Sequence, residues 1–172
     1  PVENSTEGSV TRTLDLLLAT PLRIIAEVAL PVHHNLLALD GTLRGVRRIC
    51  AHAQALAQCT AWLNTHHPDL ERTPVSSNAE AARLASTDPT VAAIAGDIAA
   101  QRYGLLAVAT HIQDDPQNRT RFVVLGKQDT TPQKPPGRDK TSLILAVPNK
   151  AGAVFHMLAP LDAHGVSMTR LE

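Results

Sequence analysis

The stretch Asn118–Gly126, NRTRFVVLG, sets the organisation of the chain. Thr120, Arg121 and Phe122 stand side by side where an apolar run begins, and a glycine ends that run. Such a pattern predicts a short buried strand over 123–125. Because side chains alternate faces along a strand, we expect Thr120 and Phe122 on one face and Arg121 on the other. Composition alone favours the start of an ordinary strand with a solvated arginine.

The composition limits the functions open to this chain. Its 172 residues suffice for one ordinary domain or two small ones. The formal net charge is zero and aromatic residues make up 2%, so neither a single-sign field nor a stacking platform predicts a nucleic-acid partner. No apolar run is long enough to span a membrane and no leader is visible, so we expect a cytoplasmic protein. Cys50 and Cys59 resemble buried small hydrophobes, and adjoining His33 and His34 lack metal-ligand spacing, so no metal site is predicted.

The opening segment, Pro1–Gly8, is a polar loop with the sequence PVENSTEG. Its short hydrogen-bonding side chains suit a loop that caps a helix or lines a cleft. Ser5 or Thr6 is a candidate N-cap for a helix predicted over Val10–Leu18. Both interpretations stay open, because a helix N-terminus also offers N–H groups to an anion.

The next segments alternate between extended and helical patterns. Arg23–Leu39 predicts two extended segments broken at Pro31, and Val46–Asn64 starts as a strand and becomes helical near His52. From the residues alone, His52 and Gln58 are interpreted as exposed polar side chains of that helix, although a helix N-terminus favours bound anions.

A capping box and a further strand–helix pair follow. Ser77-Asn78-Ala79-Glu80 fits the Ser-x-x-Glu pattern that begins a helix. Val91–Ala95 predicts a short strand, and a helix then runs from Gly96-Asp97 to near Gly104. Strands that alternate with helices favour an α/β layer structure with at least partly parallel strands.

A proline-rich, aperiodic segment, Lys127–Lys140, predicts a linker that divides the chain. Beyond it, Ser142–Val147 predicts a strand, Ala153–Ala163 a helix, and Val166–Leu171 the start of a second strand. These elements amount to half of a small β-α-β module. The chain begins without Met and stops in mid-pattern, so we expect it to be a piece of a longer protein.

These pieces, in this order, resemble prephenate dehydratase followed by a regulatory ACT domain. Any one motif is weak, but six in order are not expected by chance. The detail is most similar to the proteobacterial enzyme in which a chorismate mutase domain precedes the dehydratase. The motifs are PVENSTEG (Pro1–Gly8), LPVHHNLL (Leu30–Leu37), HAQALAQC (His52–Cys59), SSNAEAA (Ser76–Ala82), AAIAGDIAAQRYGL (Ala92–Leu105), NRTRF (Asn118–Phe122) and, after the linker, NKAGAVFHMLAPL (Asn149–Leu161) and HGVSMTRLE (His164–Glu172).

The resemblance implies a domain plan and a reaction. Residues 1–126 would form an α/β dehydratase domain, two-lobed and similar to periplasmic solute-binding proteins, but without the opening segment of its first lobe. Residues 127–140 would be the linker and 141–172 a truncated, ferredoxin-like α+β ACT domain. The family converts prephenate to phenylpyruvate, water and carbon dioxide without a cofactor, because aromatisation drives the loss. We expect the isolated chain to have little or no activity.

The resemblance also implies roles for individual residues. Thr120 would donate a hydrogen bond to the leaving hydroxyl, Phe122 would keep the cleft apolar, and Arg121 could hold a carboxylate, although its strand direction counts against it. The expected substrate contacts are Asn4, Ser5, His52, Gln58, Ser77 and Asn78. The expected contacts for L-phenylalanine as allosteric effector are Asn149, Gly152, Ala153, Val154 and Glu172.

The sequence departs from the family pattern at two positions, and two alternative functions remain open. Ala51 and Ala53 replace a serine and a proline usual in the family, so a hydroxyl contact is missing or comes from Ser76 or Ser77. An arogenate dehydratase would share these motifs, and a non-catalytic amino-acid- or solute-binding protein would share the lobed fold. The family is commonly a dimer or tetramer, so a homo-oligomer is expected.

Overall fold

The structure is a computed structural model that describes residues 1–128 and 139–171. The strands of this part are β1 Glu3–Asn4, β2 Gly8–Ser9, β3 Arg23–Pro31, β4 Asn35–Ala38, β5 Arg48–His52, β6 Glu71–Val75, β7 Val91–Ala95, β8 Leu106–Ala109 and β9 Arg119–Gly126. The helices are α1 Thr11–Ala19, α2 Ala53–Ala57, α3 Thr60–His66, α4 Asn78–Thr87, α5 Asp97–Tyr103 and α6 Ala153–Ala163.

The first sheet has the strand order β2-β1-β9-β3, and all its pairs are antiparallel. β9 pairs with β3 along its whole length, from Arg23 opposite Gly126 to Pro31 opposite Arg119. The predicted strand in NRTRFVVLG is therefore confirmed, but its predicted burial is wrong. Val124 is 42% exposed and every residue of β3 is exposed, because α2 and α4 pack on the second sheet instead.

The second sheet has the order β6-β5-β7-β4-β8. β5 runs parallel to β6 and β7, whereas β4 runs antiparallel to β7 and β8. The expectation of a partly parallel α/β sheet is confirmed. α4 packs on β7 with three fully buried alanines, whose small side chains allow a close approach of helix and strand.

Both faces of the second sheet are covered by core residues. Adjacent strand residues alternate between two clusters, with Leu36 and Ile49 in one and Leu37 and Cys50 in the other. Central strand β7 contributes to both clusters and is buried at every position. This alternation explains why its sequence, VAAIA, is apolar throughout.

The chain crosses between the two sheets twice. Residues 32–34 lead from β3 to β4, and residues 110–118 lead from β8 back to β9. The crossings lie side by side, since the N–H of Val32 donates to the carbonyl of Asn118 at 2.8 Å. Each sheet thus belongs to a separate lobe, and the expected two-lobed α/β architecture is confirmed.

The C-terminal segment, 139–171, matches the sequence prediction only in its helix. α6 has the predicted bounds, and Gly165 follows it with φ 63°. The strands predicted over 142–147 and 166–171 are wrong for the residues described, where neither segment pairs in a sheet. A strand requires a partner for its backbone hydrogen bonds, and neither segment pairs with a described strand. Most of the predicted linker, residues 129–138, lies outside the described residues. Across the described ranges, no helix has the length and apolarity needed to traverse a bilayer.

Candidate active site

An open cleft of about 290 Å³ lies where the two sheets meet. A second cavity of about 320 Å³ adjoins it and reaches β3, Phe122 and the start of α5. Most of the expected catalytic and substrate residues line this pair of cavities. The first cavity is lined by Asn4, Val32, His34, His52, Gln54, Ala55, Gln58, Ser77, Asn78 and Thr120, and the second adds Leu30, Pro31, His33, Gly96 and Phe122.

The carboxyl ends of parallel strands form one wall of the cleft. β5 ends at His52 and β6 at Val75, and each leads into a helix whose N-terminus faces the same edge. Ligands of open α/β sheets bind at this edge, and a helix N-terminus favours a negatively charged group. α4 is the longer of the two helices, and its N-cap Ser77 lines the cleft. The wall therefore suits a carboxylate.

Ser77 also forms one of the two hydrogen bonds of the predicted capping box. Its Oγ accepts the N–H of Glu80 at 3.0 Å, as expected for an N-cap. The reciprocal bond from the glutamate side chain does not form, because the Glu80 carboxylate accepts from Arg83 at 2.7 and 2.9 Å. Ser77 rather than position 51 supplies the hydroxyl at the cleft, since Ala51 is fully buried in the core.

His52 and Asn78 hold each other at the cleft wall. The backbone N–H of His52 donates to Asn78 Oδ1 at 2.9 Å, so the Nδ2 group of Asn78 remains for a ligand. His52 is the N-cap of α2, and its Nδ1 accepts the N–H of Gln54 at 3.3 Å. This bond places the ring proton on Nε2. Both side chains therefore present N–H donors.

Thr120 lies on the opposite wall and is paired with Asn4. The two residues are cross-strand partners in β9 and β1, and Asn4 Nδ2 donates to Thr120 Oγ1 at 3.1 Å. Thr120 and Phe122 share one face of β9, as the strand period predicts. Because Thr120 Oγ1 accepts from an amide, its own proton is available to an acceptor in the cleft.

Arg121 is not brought to the cleft. Its guanidinium donates to Glu3 at 2.8 Å and to Glu27 at 3.1 Å on the other face of β9. The hydrogen bond from Arg121 lowers the pKa of Glu3, and Lys140 together with Arg121 lowers the pKa of Glu27. Arg121 thus holds two protein carboxylates in place of the substrate carboxylate expected from the sequence. It is also not the solvated arginine that composition favours, since its side chain is 25% exposed.

Ser5 is the other expected contact that does not line the described cleft. Its Oγ accepts the N–H of Arg119 at 3.0 Å, which fastens the opening loop to β9. Neither Ser5 nor Thr6 caps α1, because the N-cap is Val10 and it makes no side-chain cap bond. The interpretation of the opening loop as the N-cap of α1 is therefore wrong.

Three polar residues at the site are not among the functional candidates that the sequence predicts. Thr6 bonds to both Asn4 and Gln58, Asn118 is 2% exposed between the same two side chains, and His34 Nε2 lies 2.9 Å from Gln58 Oε1. For Thr6 and Asn118, the sequence feature that could have indicated a role in the site is their position within the motifs PVENSTEG and NRTRF. For His34 the sequence suggests only a metal ligand, and its spacing argues against that.

The cysteines take no part in the cleft. Cys50 and Cys59 are buried as predicted, and burial, helped by Asp114, raises the pKa of Cys59 to about 12. A thiol with so high a pKa is not a nucleophile at neutral pH. No three His, Cys, Asp or Glu side chains within 1–128 and 139–171 are grouped to hold a metal ion.

Four of the five expected effector residues lie at or just before the start of α6. Gly152 is its N-cap with φ 77°, Ala153 is buried and Val154 is exposed. Asn149 lies in the turn before them. Glu172, the last expected contact, lies outside the described residues. The effector role of these residues stays a prediction.

A two-lobed α/β fold with a polar cleft at the carboxyl ends of parallel strands is typical of proteins that bind a small ligand between their lobes. The family model described as prephenate dehydratase matches residues 1–130. The chain belongs to the prephenate dehydratase family, and the resemblance found in the sequence is confirmed.

Named relatives agree with this assignment. The chain is 55% identical to the bifunctional chorismate mutase/prephenate dehydratase of Neisseria gonorrhoeae, with all of this chain and 48% of that protein covered. A prephenate dehydratase from Arthrobacter aurescens, solved with L-Phe, superposes with a TM-score of 0.81 at 32% identity and covers 100% of this chain and 58% of its own. A quorum quenching acylase, GqqA, superposes with a TM-score of 0.78 at 31% identity over 99% of this chain and 62% of its own. The chain spans about half the length of the curated relatives it matches.

Proposed function

We propose that this chain is part of a prephenate dehydratase, which converts prephenate to phenylpyruvate in phenylalanine biosynthesis. The observation that carries the proposal is the Asn4–Thr120 hydrogen bond at 3.1 Å in the cleft. It leaves the hydroxyl proton of Thr120 available to a ligand. Family membership supports the same reaction.

The cleft offers donors for the two carboxylates of prephenate. Within the described residues, no Lys, Arg, Asp or Glu lines either cavity. The N-terminus of α4, the Nδ2 of Asn78 and the Nε2–H of His52 would bind the carboxylates instead. Neutral donors suffice here because a helix N-terminus and a partly desolvated site strengthen each hydrogen bond.

The reaction breaks two bonds and forms an aromatic ring. The C–C bond to the ring carboxylate breaks, its electron pair enters the ring, and carbon dioxide leaves. The C–O bond at the opposite ring carbon breaks, and the hydroxide takes up a proton and leaves as water. Thr120 would donate a hydrogen bond to this oxygen that strengthens as negative charge develops. A threonine hydroxyl is too weak an acid to supply the proton unaided, so the proton comes finally from solvent.

Replacement of Thr120 tests this role in the full-length protein. Thr120→Val removes the donor at nearly constant volume, and we expect kcat for phenylpyruvate formation to fall on the order of 10²-fold. Thr120→Ser keeps the hydroxyl and is expected to stay within about tenfold of the unmodified enzyme. An unchanged kcat in Thr120→Val would remove Thr120 from the mechanism.

Arogenate is a less suitable substrate for this cleft. It carries an ammonium group where prephenate carries a ketone, and a buried ammonium requires an acceptor or a carboxylate. The described lining contains no carboxylate, and its acceptors for an ammonium are neutral oxygens such as those of Gln54 and Ser77. The lack of a carboxylate supports prephenate, and direct competition between the two substrates would test it.

An acylase activity, as named for GqqA, is not favoured by this site. Acyl transfer requires an activated nucleophile, such as a hydroxyl bonded to a histidine. In the part of the chain that the structure describes, no Ser or Thr hydroxyl bonds to a histidine ring. The raised pKa of Cys59 removes the more buried thiol as well.

Regulation, assembly and location belong to the same proposal. The related structure solved with L-Phe supports phenylalanine as the effector. The proposed place of its site, at the start of α6, rests on the residues that the resemblance implies. A homo-oligomer and a cytoplasmic location are expected from the family. Phenylalanine inhibition and sedimentation of the full-length protein would test the first two.

A further inference from the structure

Four side chains beside the cleft form a closed ring of hydrogen bonds. Asn4 Nδ2 donates to Asn118 Oδ1 at 3.3 Å, and Asn118 Nδ2 donates to Gln58 Oε1 at 3.0 Å. Gln58 Nε2 donates to Thr6 Oγ1 at 2.9 Å, and Thr6 Oγ1 returns a bond to Asn4 Oδ1 at 2.5 Å. The ring joins the opening loop, the second crossing and the C-cap of α2.

Around the ring each side chain donates a hydrogen bond to the next one, so all four bonds have the same donor-to-acceptor direction. The backbone N–H of Thr6 also donates to Asn4 Oδ1, at 3.0 Å, so this oxygen must face Thr6 and the Nδ2 group must face Asn118 and Thr120. On the other side, Nε2 of the buried His34 lies 2.9 Å from Gln58 Oε1, and because an amide oxygen only accepts, Nε2 is the donor in this orientation of Gln58. The backbone N–H of Thr6 thus sets the direction at Asn4, and the His34 contact is consistent with the same direction at Gln58.

The direction of the ring decides what Thr120 can do. With Asn4 Nδ2 turned toward it, Thr120 Oγ1 accepts a hydrogen bond and its proton points elsewhere. If the amide of Asn4 were reversed, Oδ1 would accept that proton and the hydroxyl would be lost as a donor to substrate. The polarity of Asn4 therefore selects the donor state of Thr120.

We propose that Thr6, Asn118 and Gln58 are positioning residues that hold the hydroxyl proton of Thr120 toward the substrate, an inference that rests on the proposed function. Gln58, expected from the sequence to contact substrate, uses its oxygen and one N–H within the ring. Thr6 is the residue that closes the ring, since it both accepts from Gln58 and donates to Asn4. It is therefore the position to test.

The chain contains a matched control for Thr6. Thr42 makes the same local pair of bonds, with its N–H and its hydroxyl both on Asp40 Oδ1 at 2.9 and 3.0 Å. It lines neither cavity of the described cleft. Thr42→Val thus removes the same type of local bond without touching the ring.

Thr6→Val keeps the backbone bond to Asn4 Oδ1 and removes the hydroxyl bond. In the full-length protein we expect it to lower kcat by up to about tenfold, the equivalent of one net hydrogen bond, with KM unchanged. Thr6→Ser is expected to restore kcat, and Thr42→Val to leave it unchanged. Thermal unfolding of each variant separates loss of fold from loss of positioning. Impaired turnover in Thr6→Ser equal to that in Thr6→Val would overturn the proposal, as would an unchanged kcat in Thr6→Val.

A double-mutant cycle with Thr120 separates positioning from a merely structural role. If the ring acts through Thr120, then Thr6→Val causes no further loss of kcat in the Thr120→Val background. The same fold-loss in both backgrounds would contradict the positioning role and leave the proposed reaction intact. An unchanged kcat in Thr120→Val alone would instead count against the proposed role of Thr120.

Discussion

Thr120 and Arg121 are neighbours with opposite surroundings. The two-residue period of a strand predicts opposite faces for them, and the faces are a cleft and an ion-pair cluster. The partners of Arg121 were not predictable, because Glu3 and Glu27 lie on β1 and β3 and meet β9 only through sheet pairing. Local sequence determines which way a side chain points, and distant sequence determines what it meets.

Gly152 allows a test of the effector site at a single residue. Its φ of 77° favours glycine, and the Cβ of an alanine there would lie 3.6 Å from the His156 ring. Gly152→Ala in the full-length protein is expected to raise the phenylalanine concentration for half-inhibition several-fold, because on the order of 1 kcal/mol of backbone strain disfavours the turn conformation of the expected effector site. Turnover without phenylalanine should not change.

Gly165 serves as the control for this substitution. It follows the same helix with φ 63°, and a Cβ there meets nothing within 4 Å. Gly165→Ala thus introduces a similar backbone strain away from the expected effector contacts. Equal effects of the two variants on inhibition would argue against a specific role of Gly152.

Among the elements, helices and strands differed in how well they were predicted. α6 has the predicted bounds, because a helix satisfies its backbone within the segment and its apolar spacing is visible locally. The strands predicted on either side of it do not form in the described residues, since their partners are not local. β5 and β7 were predictable because their apolar runs end at clear turn and capping signals.

β7 is the element on which the second sheet depends, and its centre can be tested. Ile94 is 0% exposed and packs in one of the two core clusters. Ile94→Ala is expected to destabilise the protein by about 2–5 kcal/mol, from lost burial and the cavity left behind. Ile98, on α5, is 82% exposed, so Ile98→Ala is expected to change stability by less than about 0.5 kcal/mol. Urea unfolding midpoints compare the two, and equal shifts would show that β7 is not central to the core.

At the scale of the whole molecule, ion pairs fasten the C-terminal segment to the first sheet. Glu3 accepts from Arg121 at 2.8 Å and from Arg170 at 2.5 Å. Glu27 accepts from Arg121 at 3.1 Å and from Lys140 at 2.8 Å. Two carboxylates thus connect β9, which carries Thr120, to residues 140 and 170.

This connection predicts a pH dependence. Arg121 lowers the pKa of Glu3 and Lys140 lowers that of Glu27, each from the usual 4.5. A lowered pKa stabilises the folded state fully above 4.5, and the contribution is lost as pH falls through the lowered value. We therefore expect amide-exchange protection of residues 139–171 to fall below pH 4.5 before that of the second sheet.

Charge-neutral variants distinguish these pairs from general acid unfolding. Glu3→Gln with Glu27→Gln should reduce the protection of residues 139–171 at neutral pH and flatten its pH dependence. Glu80 also has a lowered pKa, but its partner Arg83 lies on the same helix, so Glu80→Gln should leave that segment unchanged. A similar response in both variants would assign the effect to net charge.

The two crossings between the sheets lie side by side, joined by the hydrogen bond from the N–H of Val32 to the carbonyl of Asn118. A rotation of the lobes about these crossings would change the width of the cleft and leave this bond intact. The same rotation would lengthen the hydrogen bond from Gln58 Nε2 on the second lobe to Thr6 Oγ1 on the first lobe. The ring of hydrogen bonds therefore closes at only one angle between the lobes. That angle determines whether the hydroxyl proton of Thr120 is held toward the substrate.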